Sequence, residues 1–269
     1  MITLMGSQRQ SLELSQHPRF NEMTIPFEPE IYGVKVNVHL ILEYMAFFVA
    51  FRYYIYLRKR IDDHISSSNR LSIILGAIIG AFLGSRIVGF LENPVVPIYL
   101  ENFMDLLNNK SVMGGLFGGL LGVELSKKII GEKASSGDLF THPIIVGIMI
   151  GRVGCFLTGI NEFTYGVETS FFMGMNLGDG LMRHPIALYE IVFLALLLFF
   201  LIKYNSIIEK ELGLKFKVFM LAYFGFRFFI EFLKPNVFYF IEMSSIQWLC
   251  IICWFYYLPT LKRIFLNAN

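Results

Sequence analysis

The chain has 269 residues, 55% of them hydrophobic and 16% charged, with a formal net charge of +2. Soluble domains carry about 25% charged residues, so the composition argues against a soluble globular fold and for an all-α polytopic membrane protein. A charge balance so close to neutral gives no basic field for nucleic acid, and none is expected as a partner.

Residues 1–30 are polar and contain Pro18, Pro26 and Pro29. No apolar core follows a basic start, so they read as an N-terminal arm rather than a cleaved signal peptide. Seven apolar segments follow, at about 38–57, 71–91, 112–130, 140–158, 185–203, 216–233 and 245–262. Each is close to the roughly 20 residues that span a bilayer. Backbone groups in lipid must satisfy one another, so helices are expected. Residues 31–269 then form one seven-helix transmembrane domain.

Between the spans, residues 92–111 are expected to hold a short surface helix, Ile98–Leu107, and residues 159–183 form a long loop. Loops of that length tend to carry function. The three cysteines, Cys155, Cys250 and Cys253, all lie in apolar stretches. They read as packing, because Cys250 and Cys253 have helical spacing and no second ligand pair. No metal or other cofactor is expected.

Loop charge sets the orientation. Arg58, Lys59, Arg60 and Arg70 flank the first connection, Lys127, Lys128 and Lys133 the third, and Lys203, Lys210, Lys215 and Lys217 the fifth. Lys262 and Arg263 close the chain, whereas the alternate connections hold only Lys110, Arg183 and Lys234. The N-terminus is therefore expected outside and the C-terminus in the cytoplasm.

Orientation gives depth. Arg86, Arg152 and Arg227, on the second, fourth and sixth spans, all fall in the outer half. So do Glu43, Tyr44, Tyr189 and Glu190, while Glu231 is one turn beyond Arg227. His39 and His184 sit at outer mouths, and Glu124 alone lies deep on the cytoplasmic side. Intramembrane charges are costly and mark sites or paired structural groups. Both readings apply here: Arg227 and Glu231 are i,i+4 neighbours, and Arg86 and Glu190 are a possible cross-helix pair. Three arginines at one level suit an anionic ligand, since guanidinium binds phosphate in a bidentate manner. In an outer leaflet that phosphate is a lipid headgroup. Gly76, Gly80, Gly84 and Ser85 on the second span, with Gly114, Gly115, Gly118, Gly119 and Gly122 on the third, allow close helix approach or room for an acyl chain.

Several of these pieces resemble the prolipoprotein diacylglyceryl transferase family. They are Gly84-Ser85-Arg86-Ile87, Gly114-Gly115-Leu116 with Gly118-Gly119, and Gly151-Arg152-Val153-Gly154 with Phe156-Leu157. Tyr165-Gly166, Arg183-His184-Pro185 with Leu188-Tyr189-Glu190, and Tyr223 to Arg227-Phe228 with Glu231-Phe232 continue it. The resemblance runs from about residue 32 to 258. It implies transfer of the diacylglyceryl group of phosphatidylglycerol to the lipobox cysteine thiol of a prolipoprotein, with release of glycerol phosphate. It also implies a bacterial inner-membrane location and indispensable roles for Arg152 and Arg227. Where the family usually has a catalytic histidine before the third-span Gly-Gly, this chain has Met113. Where it usually has asparagines after the Gly-Arg element, this chain has Cys155 and Thr158.

Expulsion of a phosphate ester needs charge stabilisation, assigned to Arg152 and Arg227, and an activated thiol. With no histidine at 113, the base is sought among His184, Glu190, Glu43 and Glu162. His184 also reads as a helix cap before Pro185. Arg86, Tyr189, Tyr223 and Gly166 are expected to bind the lipid, along with Glu43 and Glu162. Two other readings stay open: a different acceptor, and a lipid-binding or transport relative without chemistry.

Overall fold

A computed structural model describes residues 25–61, 65–92 and 109–260. Residues 1–24 of the expected arm, the expected surface helix Ile98–Leu107, and the basic pair Lys262 and Arg263 lie outside the described residues.

A helix occupies each of the seven apolar segments: α1 (Val38–Arg58), α2 (Ser67–Glu92), α3 (Val112–Ile130), α4 (Asp138–Thr158), α5 (Ile186–Lys203), then, after the short α6 (Asn205–Ile208), α7 (Leu214–Ile230) and α8 (Ser245–Tyr256). Four of them, α1, α2, α4 and α5, are long and apolar enough to cross a membrane. α3 carries Glu124, Lys127 and Lys128, and α7 and α8 are shorter. Two small antiparallel hairpins complete the fold: β1 (Glu30–Ile31) with β2 (Val34–Lys35), and β3 (Met175–Asn176) with β4 (Met182–Arg183).

The helix ends follow local chemistry. Asn37 Oδ1 accepts from the Leu40 amide at 2.9 Å and starts α1. Ser244 and Gln247 form a reciprocal capping box at the start of α8. α3 stops at Gly131, whose φ of 71° is cheap only for glycine. Asp138 opens α4 and also accepts from the amides of Gly213 and Phe216 at 2.6 and 3.0 Å, which ties the start of α7 to α4.

Glycine stripes bring α2 and α3 together. Gly76, Gly80 and Gly84 face Gly122, Gly118 and Gly114, each set at a spacing of four. A Cβ on Gly80 would collide with the Gly118 carbonyl oxygen, and one on Gly84 would lie 2.9 Å from Gly118 Cα. Off the stripe, a Cβ on Gly115 would meet nothing nearer than 3.7 Å. α1 packs on α4 in the same way: a Cβ on Gly154 would sit 2.9 Å from His39 Cδ2. This close approach brings His39 against the α4 face that carries Cys155.

The core lies among α4, α5 and α7, with Ile145, Leu194, Phe219, Tyr223 and Phe224 buried, and α8 closes it with Ile246, Cys250 and Cys253. Those two cysteines therefore pack, as their spacing suggests. The outside is apolar instead: Phe47 and Phe48 on α1, Ile78 and Ile79 on α2, and Leu196 and Phe199 on α5 are exposed. Arg152, Glu190, Arg227 and Glu231 are buried. Apolar outside with charge inside reverses the soluble pattern and fits a protein solvated by lipid.

Candidate active site

On α5 the buried stripe runs Ile186, Glu190, Leu194, Leu197, Leu201, so a carboxylate takes one core position among aliphatics. On α7 the buried stripe includes Tyr223 and Arg227, one turn apart, and on α4 it includes Arg152 and Cys155. Packing the three stripes together forces these polar groups to meet. Glu190 is 0% exposed. Its Oε1 accepts from the Tyr223 hydroxyl and lies 2.8 Å from Arg152 Nε, while its Oε2 accepts from Arg227 Nη1 at 3.0 Å. The other end of the Arg227 guanidinium donates to Glu231. Asn236 Nδ2 then donates to the second carboxylate oxygen and to the main-chain carbonyl of Glu231, both at 2.7 Å.

This network forms one wall of a cavity of about 60 Å³. Its charged lining is Lys110, Arg152, Arg227 and Lys234 against Glu92 and Glu190, four positive groups to two negative. Lys234 Nζ is 3.6 Å from Glu92 and 3.8 Å from Glu231. Behind this lining Glu43 pairs with Lys110, and Glu231 with Arg227 and Lys234, so the cluster as a whole is balanced. Two donors are also unspent. Arg227 Nε has no hydrogen-bond partner among the described residues, and the N–H of Arg152 Nε is not aligned on its neighbouring carboxylate. Such a hollow suits an anion that presents several oxygens. Met113, buried, lines the same cavity, where a histidine is usual in the family resembled.

Beside Arg152 lies a second cluster. Glu162 Oε1 is 3.0 Å from His39 Nδ1, His39 Nε2 is 3.7 Å from Cys155 Sγ, and Arg152 Nη1 donates to that sulfur at 3.6 Å. The His39 hydrogen bond holds the Glu162 carboxyl below its ordinary range. Sequence reading named Glu162 as a candidate, placed His39 only as a helix-mouth residue, and read Cys155 as packing. The signal for Cys155 was present: it follows Arg152 by three residues and shares its helix face.

The remaining candidates fall elsewhere. His184 Nδ1 is 3.2 Å from the Tyr189 hydroxyl, and neither residue lines the cavity. Glu43 pairs with Lys110 at 2.9 Å and so touches the site only through that lysine. Gly166 lets two backbones approach: its amide donates to the His184 carbonyl at 2.9 Å, and a Cβ there would lie 2.9 Å from the Leu233 carbonyl oxygen. Arg86 stands apart from Arg152 and Arg227. Its Nη1 donates to the Asn109 carbonyl at 3.4 Å, its guanidinium lies over Phe82, and it is not part of the cavity lining. The suggested Arg86–Glu190 pair is not formed, because Arg152 and Arg227 take that carboxylate.

Residues 26–261 match the profile of a family described as prolipoprotein diacylglyceryl transferase. A phosphatidylglycerol–prolipoprotein diacylglyceryl transferase of Rickettsia felis is 32% identical over 194 residues, covering 66% of this chain and 72% of the relative. One from Ehrlichia ruminantium, strain Welgevonden, is 31% identical over 209 residues, covering 72% of this chain and 78% of the relative. The apolar exterior, the helices of spanning length and these matches agree: the chain belongs to the prolipoprotein diacylglyceryl transferase family.

Proposed function

We propose that the protein transfers the diacylglyceryl group of phosphatidylglycerol to the lipobox cysteine thiol of a prolipoprotein and releases glycerol phosphate. The acceptor sulfur attacks the glyceryl carbon, the C–O bond to phosphate breaks, and its electron pair goes to the phosphate oxygen. Arg152 and Arg227 hold the phosphate as that charge develops, and Lys110 and Lys234 add to the positive lining. Preorganised donors in a dry site cost little reorganisation at that moment.

Glu190 acts here as a positioning residue. Its oxygens are already committed to Tyr223, Arg152 and Arg227, so it serves poorly as a base. Its value lies in keeping two like-charged groups at a fixed separation. His184, Tyr189 and Gly166 shape the loop beside the site, and Arg86 anchors the Asn109 backbone.

All the helices other than α6 cross the inner membrane of a bacterium in this reading, with the N-terminus outside, the C-terminus in the cytoplasm and residues 31–269 as the transferase domain. The site then opens towards the outer leaflet, where both the lipid and the signal peptide are present. The observation that carries the proposal is the pair of buried arginines, each with an unspent or misaligned Nε donor, on a cavity whose lining carries four cationic side chains. The test is complementation of cells depleted of their own diacylglyceryl transferase. Growth, with a thioether-linked diacylglyceryl cysteine found by mass spectrometry, is the expected result; viable expression without that modification contradicts it.

A further inference from the structure

We propose that Cys155, His39 and Glu162 form a proton relay that deprotonates the acceptor thiol, in a chain with no histidine at position 113. This rests on the transfer reaction proposed above and assigns the step left open there.

The geometry is that of an oriented base. In the neutral form of His39 that the relay uses, Nδ1–H donates to the Glu162 carboxylate at 3.0 Å and Nε2 carries the lone pair on the far side. That lone pair faces Cys155 Sγ at 3.7 Å. The sulfur in turn lies 3.6 Å from Arg152 Nη1, so the relay ends at a guanidinium that also lines the phosphate cavity. Cys155 borders a smaller hollow that shares Thr164, Ile186 and Ala187 with the main cavity. In this scheme the acceptor sulfur meets Cys155 where the two hollows adjoin at Thr164, Ile186 and Ala187. The charged groups around His39 are Arg152 on α4 and Glu162 after it, with Lys110 and Glu43 further out.

The step balances. The acceptor S–H bond breaks as its proton passes to Cys155 Sγ, and the proton already on Cys155 passes to His39 Nε2. The net result is one S–H bond exchanged for one N–H bond, with an acceptor thiolate beside Arg152. The thiolate then forms the C–S bond as the C–O bond breaks. His39, whose side chain is 23% exposed, returns the proton to water. Cys155 touches the reacting sulfur and is a catalytic residue in this scheme; His39 and Glu162 act through it.

The test is the pH profile of kcat/KM for the full-length protein in phosphatidylglycerol vesicles with a synthetic lipobox peptide. General-base removal costs about 10²–10⁴-fold. His39→Gln is expected to lose at least 10²-fold at pH 7 with the KM for lipid unchanged. The deficit should shrink as pH rises past the peptide thiol's own pKa, near 8.5. Cys155→Ala should behave in the same way, and Cys155→Ser, which keeps a hydroxyl link, should lose less. A deficit that stays constant at every pH, or no deficit, overturns the relay. A second readout needs no turnover. In ¹⁵N-histidine-labelled protein the His39 Nε2 resonance should move on Cys155→Ala, and an unmoved resonance overturns the relay by itself. Wild-type protein that transfers nothing to the lipobox peptide refutes the substrate reading, whereas a wild type that transfers, with a His39→Gln profile no different from its own, overturns the relay alone.

Discussion

Arg152 and Arg227 come from different helices and share one carboxylate, with Arg152 Nε 2.8 Å from one oxygen of Glu190 and Arg227 Nη1 3.0 Å from the other. Two cations this close are tolerable in a dry core because that carboxylate lies between them and Glu231 takes the far end of Arg227. Removing one partner of a buried ionic group costs about 3–5 kcal/mol, chiefly by stranding the others. Glu190→Gln is therefore expected to lower stability in detergent by about that amount, and Tyr223→Phe by less, about 1.5–3 kcal/mol for one hydrogen bond to a charged group. Unfolding curves for the two variants check the order. A Glu190→Gln protein as stable as the wild type would contradict the arrangement.

The glycine stripe between α2 and α3 gives a paired prediction. Gly80→Ala drives a methyl group into the Gly118 carbonyl, so the helices must separate, at about 1–3 kcal/mol for overpacking. Gly115→Ala meets only ordinary contacts at 3.7 Å and is expected to be neutral or nearly so. Thermal midpoints measured side by side decide it.

Arg86 separates depth from function. It shares the outer level of the other two arginines but bonds the Asn109 carbonyl and does not line the cavity. Arg86→Ala is expected to keep kcat/KM within about tenfold of the wild type, with whatever it loses appearing as stability. Losing one hydrogen bond costs about 1 kcal/mol. A complete loss of transfer in a folded Arg86→Ala protein would return Arg86 to the site.

Glu162 supplies a pH dependence. Its carboxyl is held below the ordinary value, near 4.3, by the hydrogen bond with His39. A depressed folded-state value contributes stability that is present above the unfolded value and lost as pH falls through the folded one. The difference between wild type and Glu162→Gln should therefore hold from pH 7 to about 5 and fade below about 4. The carboxylate is part-exposed, so the effect is small. A difference that grows on acidification would have the wrong sign.

Much of the fold could be read from the chain because the rules involved are local. Apolar run length placed a helix in each of the seven segments, and an ionisable side chain inside such a run marked Arg152, Glu190 and Arg227. What sequence position gives, however, is height along a span and not the direction a side chain faces. Arg86 is two residues past Gly84, about 200° round the helix, so a stripe that turns Gly84 towards α3 turns Arg86 away. That sign was in the sequence but becomes usable only once the glycine face is known to be the contact. The meeting of His39 and Cys155 had no local sign: the two residues are 116 positions apart and are joined only by the packing of α1 on α4 at Gly154.

The most direct measurement is transfer from labelled phosphatidylglycerol to a lipobox peptide by the wild type and by Arg152→Lys and Arg227→Lys, all shown to be folded. Lysine keeps the charge but loses the planar fork that spans two oxygens. The account predicts release of glycerol phosphate and a thioether product from the wild type, and at least a hundredfold loss in both variants. Rates in both lysine variants within a fewfold of the wild type would contradict it.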